Sequence, residues 1–278
     1  MSVTPQTPFY KGILLIGSLQ IPCYPNPSFT CPRNVDAPPI IGNYWQFNYA
    51  DGLQQPYVDI NIAVRDKTGE ALSAAFLSLF HTRSSDVAHD TGVISGGIKF
   101  WDGRSGFTMA GAKADSYTIH VAKPELIQMT ARFCGTLPTA LGSAPSFSAW
   151  DNSKMLRGTK AQVADMNVWS VDLSYSNNHN PDMSLDLTNG PAACNAGMMT
   201  AGLSTSVQAA DTVLADSEPI EITIVGTAGA ITFTVNNPVD NARDNRMINA
   251  PRVMRPHQYV SLGGDGQTTP PISISTTY

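Results

Sequence analysis

The sequence predicts a mainly β protein made of two tandem β-sandwich or barrel domains, each with one short flanking helix. Three observations carry that expectation. Apolar and polar residues alternate at period two, as at Val58, Ile60 and Ile62 and again at Val171, Leu173 and Tyr175. Loops rich in Asp, Gly, Asn and Pro separate these runs. An ordered set of landmarks recurs roughly 120 residues further along the chain.

The elements follow in order. The first half opens with a strand over residues 15–22, followed by Pro27, Ser28 and Phe29. Residues 132–138 match it, followed by Pro145, Ser146 and Phe147. Residues 45–49 and 56–64 read as a strand pair across a polar turn at 50–55. Residues 169–175 and 181–187 are the counterpart across 176–180, so Trp45 and Trp169 are expected at equivalent positions. Residues 70–82 place Leu72, Phe76, Leu79 and Phe80 on one face at helical spacing, and the Ala- and Met-rich residues 192–203 form the second helix candidate. A hairpin of residues 92–101 and 105–111 turns at Asp102, Gly103 and Arg104. Its match is 219–225 and 230–235 across 226–229, and the closing strands are 116–121 and 259–262. Pro124 marks the connection, giving copy 1 over residues 1–124 and copy 2, with a C-terminal tail, over residues 125–278. Segments 23–42, 149–164, 235–255 and 263–278 read as irregular stretches ordered at interfaces.

Composition narrows the function. Apolar residues at 42% supply real cores, while charged residues at 14% leave Ser, Thr, Asn and Gln to make the polar surface, as in large β assemblies. The net charge of −5 and the lack of any basic run disfavour a nucleic-acid clamp. Residues 1–10 lack the pattern of a secretory signal, and apolar runs such as 13–16 are far too short to cross a bilayer. Cys23, Cys31, Cys134 and Cys194 read as free thiols of a protein made in the cytosol, although Cys23 and Cys31 are close enough in sequence to staple a loop.

No motif carries chemistry. His81, His89, His120, His179 and His257 are scattered without metal-ligand spacing and read as surface or satisfied histidines. There is no nucleophile elbow, phosphate loop or dinucleotide fingerprint. Asp240, Asn241, Asp244 and Asn245 lack the spacing of a calcium loop. Tyr44, Trp45, Phe47, Tyr49, Phe100 and Trp101 largely alternate within strands and read as core, not as a stacking platform. No catalytic, cofactor-binding or metal-ligating residue is assigned, no cofactor is implied, and the chain is expected not to be an enzyme.

The layout has a likeness. Each half opens with a strand and a Gly-to-Pro step (Gly17 to Pro22, Gly135 to Pro138), then a long loop, a strand pair, a helix candidate and final strands. This order resembles the tail tube proteins of long-tailed bacteriophages and the related contractile injection tubes. The resemblance implies a small β domain assembling into stacked six-fold rings, with inner sheets joined edge to edge around a lumen. It further implies a virion protein assembled in the host cytoplasm, with tape measure and tail terminator proteins as partners and no membrane. DNA would pass the lumen without tight binding. The commonest members carry one such domain per chain, so two would suit a homotrimer forming a pseudo-hexamer, or equally a hub or distal tail protein. The other readings are a carbohydrate- or host-surface-binding β sandwich and a jelly-roll capsid protein.

Overall fold

The computed structural model describes residues 13–21, 28–30, 33–36, 50–54, 56–63, 74–81, 91–122, 128–146, 160–163, 166–167, 170–181, 194–195, 199–208, 218–225, 230–240, 247–249, 252–261 and 270–277. It is mainly β. A first series of elements comprises β1 (Ile13–Ile16), β2 (Leu19–Gln20), β3 (Ser28–Thr30), β4 (Arg33–Asp36), β5 (Ala50–Gln54), β6 (Tyr57–Ala63), α1 (Ala74–His81), β7 (Ile98–Trp101), β8 (Gly106–Met109), β9 (Lys113–Ala122), β10 (Gln128–Cys134) and β11 (Thr139–Ala140). A second comprises β12 (Lys160–Val163), β13 (Met166–Asn167), β14 (Ser170–Ser176), β15 (Asn180–Pro181), β16 (Cys194–Asn195), β17 (Thr200–Gln208), β18 (Ile220–Val225), β19 (Ala230–Val235), β20 (Pro238–Asp240), β21 (Met247–Asn249), β22 (Arg252–Ser261) and β23 (Ile272–Thr277).

The pairings of the first series recur in the second. One five-stranded sheet has the order β2-β1-β7-β8-β11, and another has β13-β12-β18-β19-β23. The two-stranded sheet β4-β5 is matched by β15-β16. In the nine-stranded sheet the run β3-β6-β10-β9 is followed directly by β14-β17-β22-β20, with β21 also on β22. All these pairings are antiparallel, and the β9–β14 contact joins the two runs.

Alternation sets which face of the long sheet is buried. Val58, Ile60 and Ile62 on β6, Tyr117, Ile119 and Val121 on β9, Met129, Ala131 and Phe133 on β10, and Val171, Leu173 and Tyr175 on β14 all point into the core. Ala and Leu start α1 readily, and its buried Phe76, Leu77 and Phe80 pack it onto that face. Phe80 lies edge-on to Tyr117 at 5.2 Å and against Phe133 at 5.5 Å. The β7–β8 hairpin turns where Asp102 Oδ1 accepts from the amides of Arg104 and Ser105, and those bonds hold its carboxyl below the usual range. Behind it Gly97, at φ 63°, is required, since a Cβ there would sit 2.2 Å from the Met109 carbonyl oxygen.

Several expectations are corrected. The divide at residue 124 does not match a break in pairing. β10, beyond it, lies between β6 and β9, and β11 pairs with β8. Apart from the β9–β14 contact, the strands up to β11 pair with one another and those from β12 onward pair with one another. Residues 132–138 are therefore no counterpart of 15–22, because Gly and Pro mark turns without saying which sheet they follow. By pairing, the match to β1–β2 is β12–β13. The second helix candidate, 192–203, contains β16 and the start of β17, where Ala201 and Leu203 are buried and alternate with Gly202 and Ser204. Sheet partners on both sides override the helix propensity of Ala and Met. The turn placed at 50–55 contains β5, and the tail read as irregular carries β23, whose Ile272, Ser273, Ile274 and Ser275 alternate. Segments 23–42, 149–164 and 235–255 likewise contain strands. Trp45, Trp169, residues 182–187 and the 226–229 turn lie outside the described residues.

Replacing Phe80 by Ala should cost about 3–5 kcal/mol, as large aromatic deletions in packed cores do. Urea unfolding of the unassembled chain measures this. A cost below about 1 kcal/mol would show that α1 does not close the core, since that is the scale of a surface change.

Candidate functional site

The other face of the long sheet has no layer over it among the described residues. Reading outward from β6, it presents Asp59 and Asn61, then Gln128, Thr130 and Arg132 of β10, then Ser116, Thr118 and His120 of β9. Beyond the joint come Asp172 and Ser174 of β14, Gly202 and Ser204 of β17, and Gln258 and Val260 of β22. Among the described residues, side chains on this face are mostly short and polar, and its charged groups stand in cross-strand pairs. Arg132 donates to Asp59 through Nε at 2.7 Å and Nη2 at 3.0 Å, and its guanidinium lies 5.4 Å from the Tyr57 ring centre. The bond to Asp59 raises the Arg132 guanidinium above its ordinary value, with partial burial opposing. His120 Nδ1 lies 2.5 Å from Asp172 Oδ1 across the joint.

Beneath the joint the loop after β14 plugs into the first series. Asn177, with none of its surface exposed, donates through Nδ2 to the carbonyls of Phe80 (3.1 Å) and Ala114 (3.0 Å), and through its amide to that of Asp115 (2.8 Å). Tyr175 donates its hydroxyl to Asn177 Oδ1 at 3.0 Å. Asn178, at φ 49°, turns the chain so that the His179 amide donates to Asp115 Oδ1 at 2.8 Å. His179 Nδ1 also faces Asp115 Oδ1 at 3.3 Å, and its Nε2 faces Thr91 Oγ1 at 3.1 Å. With its proton on Nδ1, the ring donates to Asp115 and accepts from Thr91.

Thr, His and Asp in this order have the bonding of a nucleophilic triad. Thr91 is 1%, His179 3% and Asp115 6% exposed, so the three side chains are buried and tie the loop after β14 to β9 and residue 91. His81 completes the joint, with Nε2 3.1 Å from the Tyr117 hydroxyl and its ring 4.4 Å from that of Tyr175. Burial, and then the nearby Tyr175, pushes the Tyr117 phenol well above its ordinary value.

Three of the five histidines thus lie at one joint. Their partners lie far away in sequence, so no local spacing signals it. The side chains of His89 and His257 lie outside the described residues, as do those of Asp240, Asn241, Asp244 and Asn245, and Tyr44, Trp45, Phe47 and Tyr49. Phe100 and Trp101 are half-buried on β7, with Phe100 5.7 Å from Phe107. Cys134 is buried at the end of β10; the other cysteine side chains are not among those described. Among the described residues no group of His, Cys, Asp and Glu is placed to hold a metal, and no helix is long and apolar enough to cross a membrane. A cleft of about 400 Å³ between the β1–β2 turn, α1 and residues 92–95 is lined by Ile16, Leu19, Leu79, Val93 and Ile94 with small residues, with no aromatic ring among the described lining residues.

The sheet ends in two edges. The outer sides of β3, at one end, and of β20 and β21, at the other, carry no partner strand among the described residues. No protein-family model matches the chain. No curated protein matches it in sequence.

Asn177→Ala leaves the carbonyls of Phe80 and Ala114 without this donor and should destabilise the chain by about 1–3 kcal/mol, read by urea unfolding. Tyr117 predicts an alkaline response. Its folded value is raised, so its contribution is complete below the ordinary phenol range, near pH 10, and falls as pH climbs through it. Phenolate absorbance should therefore show Tyr117 ionising only with unfolding, and early reversible ionisation of every tyrosine would contradict its burial.

Proposed function

We propose that the chain is a structural subunit of a tube, and that the tube is a bacteriophage tail tube through which DNA is ejected. One observation carries the reading. The strand order β3-β6-β10-β9 is followed by β14-β17-β22-β20 in the same sense, so two equivalent runs stand head to tail in one sheet. We read these as two copies of one tail-tube-like β domain, the first ending after β11 and the second beginning at β12.

The step that carries the first run onto the second, applied once more, sets the β3 edge of another chain beside β20 and β21. Such a head-to-tail contact repeats until the rotation closes a ring, or continues as an open helix. Closure also removes both exposed edges. With two units per chain, three chains give the six positions that the tail tube resemblance implies. Eight strands from each chain would make a barrel wider than porins, whose sixteen to eighteen strands already leave an aqueous channel. The core layer then lies outside and the polar open face lines the lumen. That face, with Arg132 held by Asp59, suits a wall past which a polyanion slides.

The role is structural, without catalysis or cofactor. The proposed partners are other copies of the chain and, at the tube ends, tape measure and tail terminator proteins. The proposed location is the virion tail, assembled in the host cytoplasm. A hub or distal tail protein would share the same ring.

Negative-stain electron microscopy of concentrated protein should show rings or tubes with a central hole, and averaged rings should contain three chains. Six chains per ring would overturn the two-unit reading. A monomer at every concentration would overturn the tube.

A further inference from the structure

The described large hydrophobic residues that stand exposed are Val93 at 60%, and Val239 and Val260 at 40% each. The last two are direct cross-strand partners on β20 and β22, at the outer end of the second run. Their neighbours Pro238 and Ser261 are buried, which places both valines on the open face. The equivalent outer pair of the first run, β9 and β10, carries Ser116 opposite Arg132, Thr118 opposite Thr130 and His120 opposite Gln128. Those positions are polar, and their edge is already covered by β14 of the same chain.

We infer that Val239 and Val260 form an apolar latch that receives the first unit of a second copy of this chain, making the joint between chains chemically unlike the joint within one. This rests on the tube reading and goes beyond it by assigning the residues. The occupant follows from the fold. β14 covers the first run, its counterpart by pairing is β3, and β3 has an uncovered edge at the far end of the same sheet.

The contrast in chemistry has a physical reason. The internal joint is tethered by the chain, so its partners meet at high effective concentration and can use directional polar contacts such as His120 with Asp172 and His179 with Asp115. The external joint must be made from free chains and needs a net driving force, which burying apolar surface supplies.

The test compares Val239→Lys and Val260→Lys with Val93→Lys, a change at an equally apolar exposed site away from the edge. Assembly is read by sedimentation and electron microscopy, and folding by circular dichroism. Both edge variants should stay folded; Val239→Lys, on the edge strand, should raise the concentration needed for assembly by ~10–100-fold, and Val260→Lys, one strand further in behind Val239, by less. Val93→Lys should assemble as the unaltered chain does. If a Lys variant fails to fold, the near-isosteric Val239→Thr and Val260→Thr pair replaces it, with assembly weakened by at least ~5-fold. Folded edge variants that assemble normally would overturn the latch and leave the tube standing, as would equal loss in Val93→Lys. An unaltered chain that never assembles would overturn both.

Discussion

The antiparallel pairing of β9 with β14 is the contact on which the architecture depends. It joins the last strand of one run to the first strand of the next. Had it joined like to like, β9 to a β9-equivalent, the sheet would have ended in two identical edges and the contact would be two-fold and self-satisfied. A head-to-tail joint instead leaves complementary edges at the ends. One is of the kind that covers, and the other is of the kind that is covered. Under the proposed tube reading, extension would repeat the way the two runs of a single chain meet.

Such a joint must be held in one register. A slip of one residue would carry Val171, Leu173 and Tyr175 to the open face and bring Asp172 and Ser174 into the core. Hydrophobic patterning penalises that slip, and the plug after β14 penalises every other one. Asn177 reaches the carbonyls of Phe80 and Ala114 only in the observed pairing, and His179 then meets Asp115 and Thr91. Each net hydrogen bond contributes only about 0.5–1.5 kcal/mol, but a misplaced plug would bury these groups unsatisfied. The polar cluster thus supplies specificity on top of the driving force from the surrounding Phe76, Phe80, Phe133 and Tyr117.

How much of this was legible depended on the range of the signal. Period-two runs such as Val58, Ile60, Ile62 and the Asp102–Gly103 turn are local, and their strands and hairpin stand where the pattern put them. The helix at Phe76 and Phe80 was legible for the same reason. The Gly and Pro landmarks used to align the two halves were a poor guide to strand pairing, because those residues report turns and not sheet membership. Ala and Met around 192–203 indicated a helix that long-range pairing with β14 and β22 overrides. The joint itself was invisible. His120 and Asp172 lie 52 residues apart, His179 and Asp115 lie 64 apart, and only the strand order brings them together.

The open face poses the remaining physical question, since a sheet face of this extent is normally covered or charged. Scattered charge would keep a monomer soluble, yet here Arg132 and His120 are each held by a carboxylate on the neighbouring strand, and hydroxyls and amides fill much of the rest. Such a face gains little from packing against protein, because its short polar groups would need partners once dehydrated. It also offers phosphate no free Arg among the described side chains, so it would not grip nucleic acid. A sheet wet on one side and packed on the other is what the proposed tube reading would require of a wall around a water-filled channel. Among the described side chains of that face, Val239 and Val260 are the exposed large apolar pair, at its outer end.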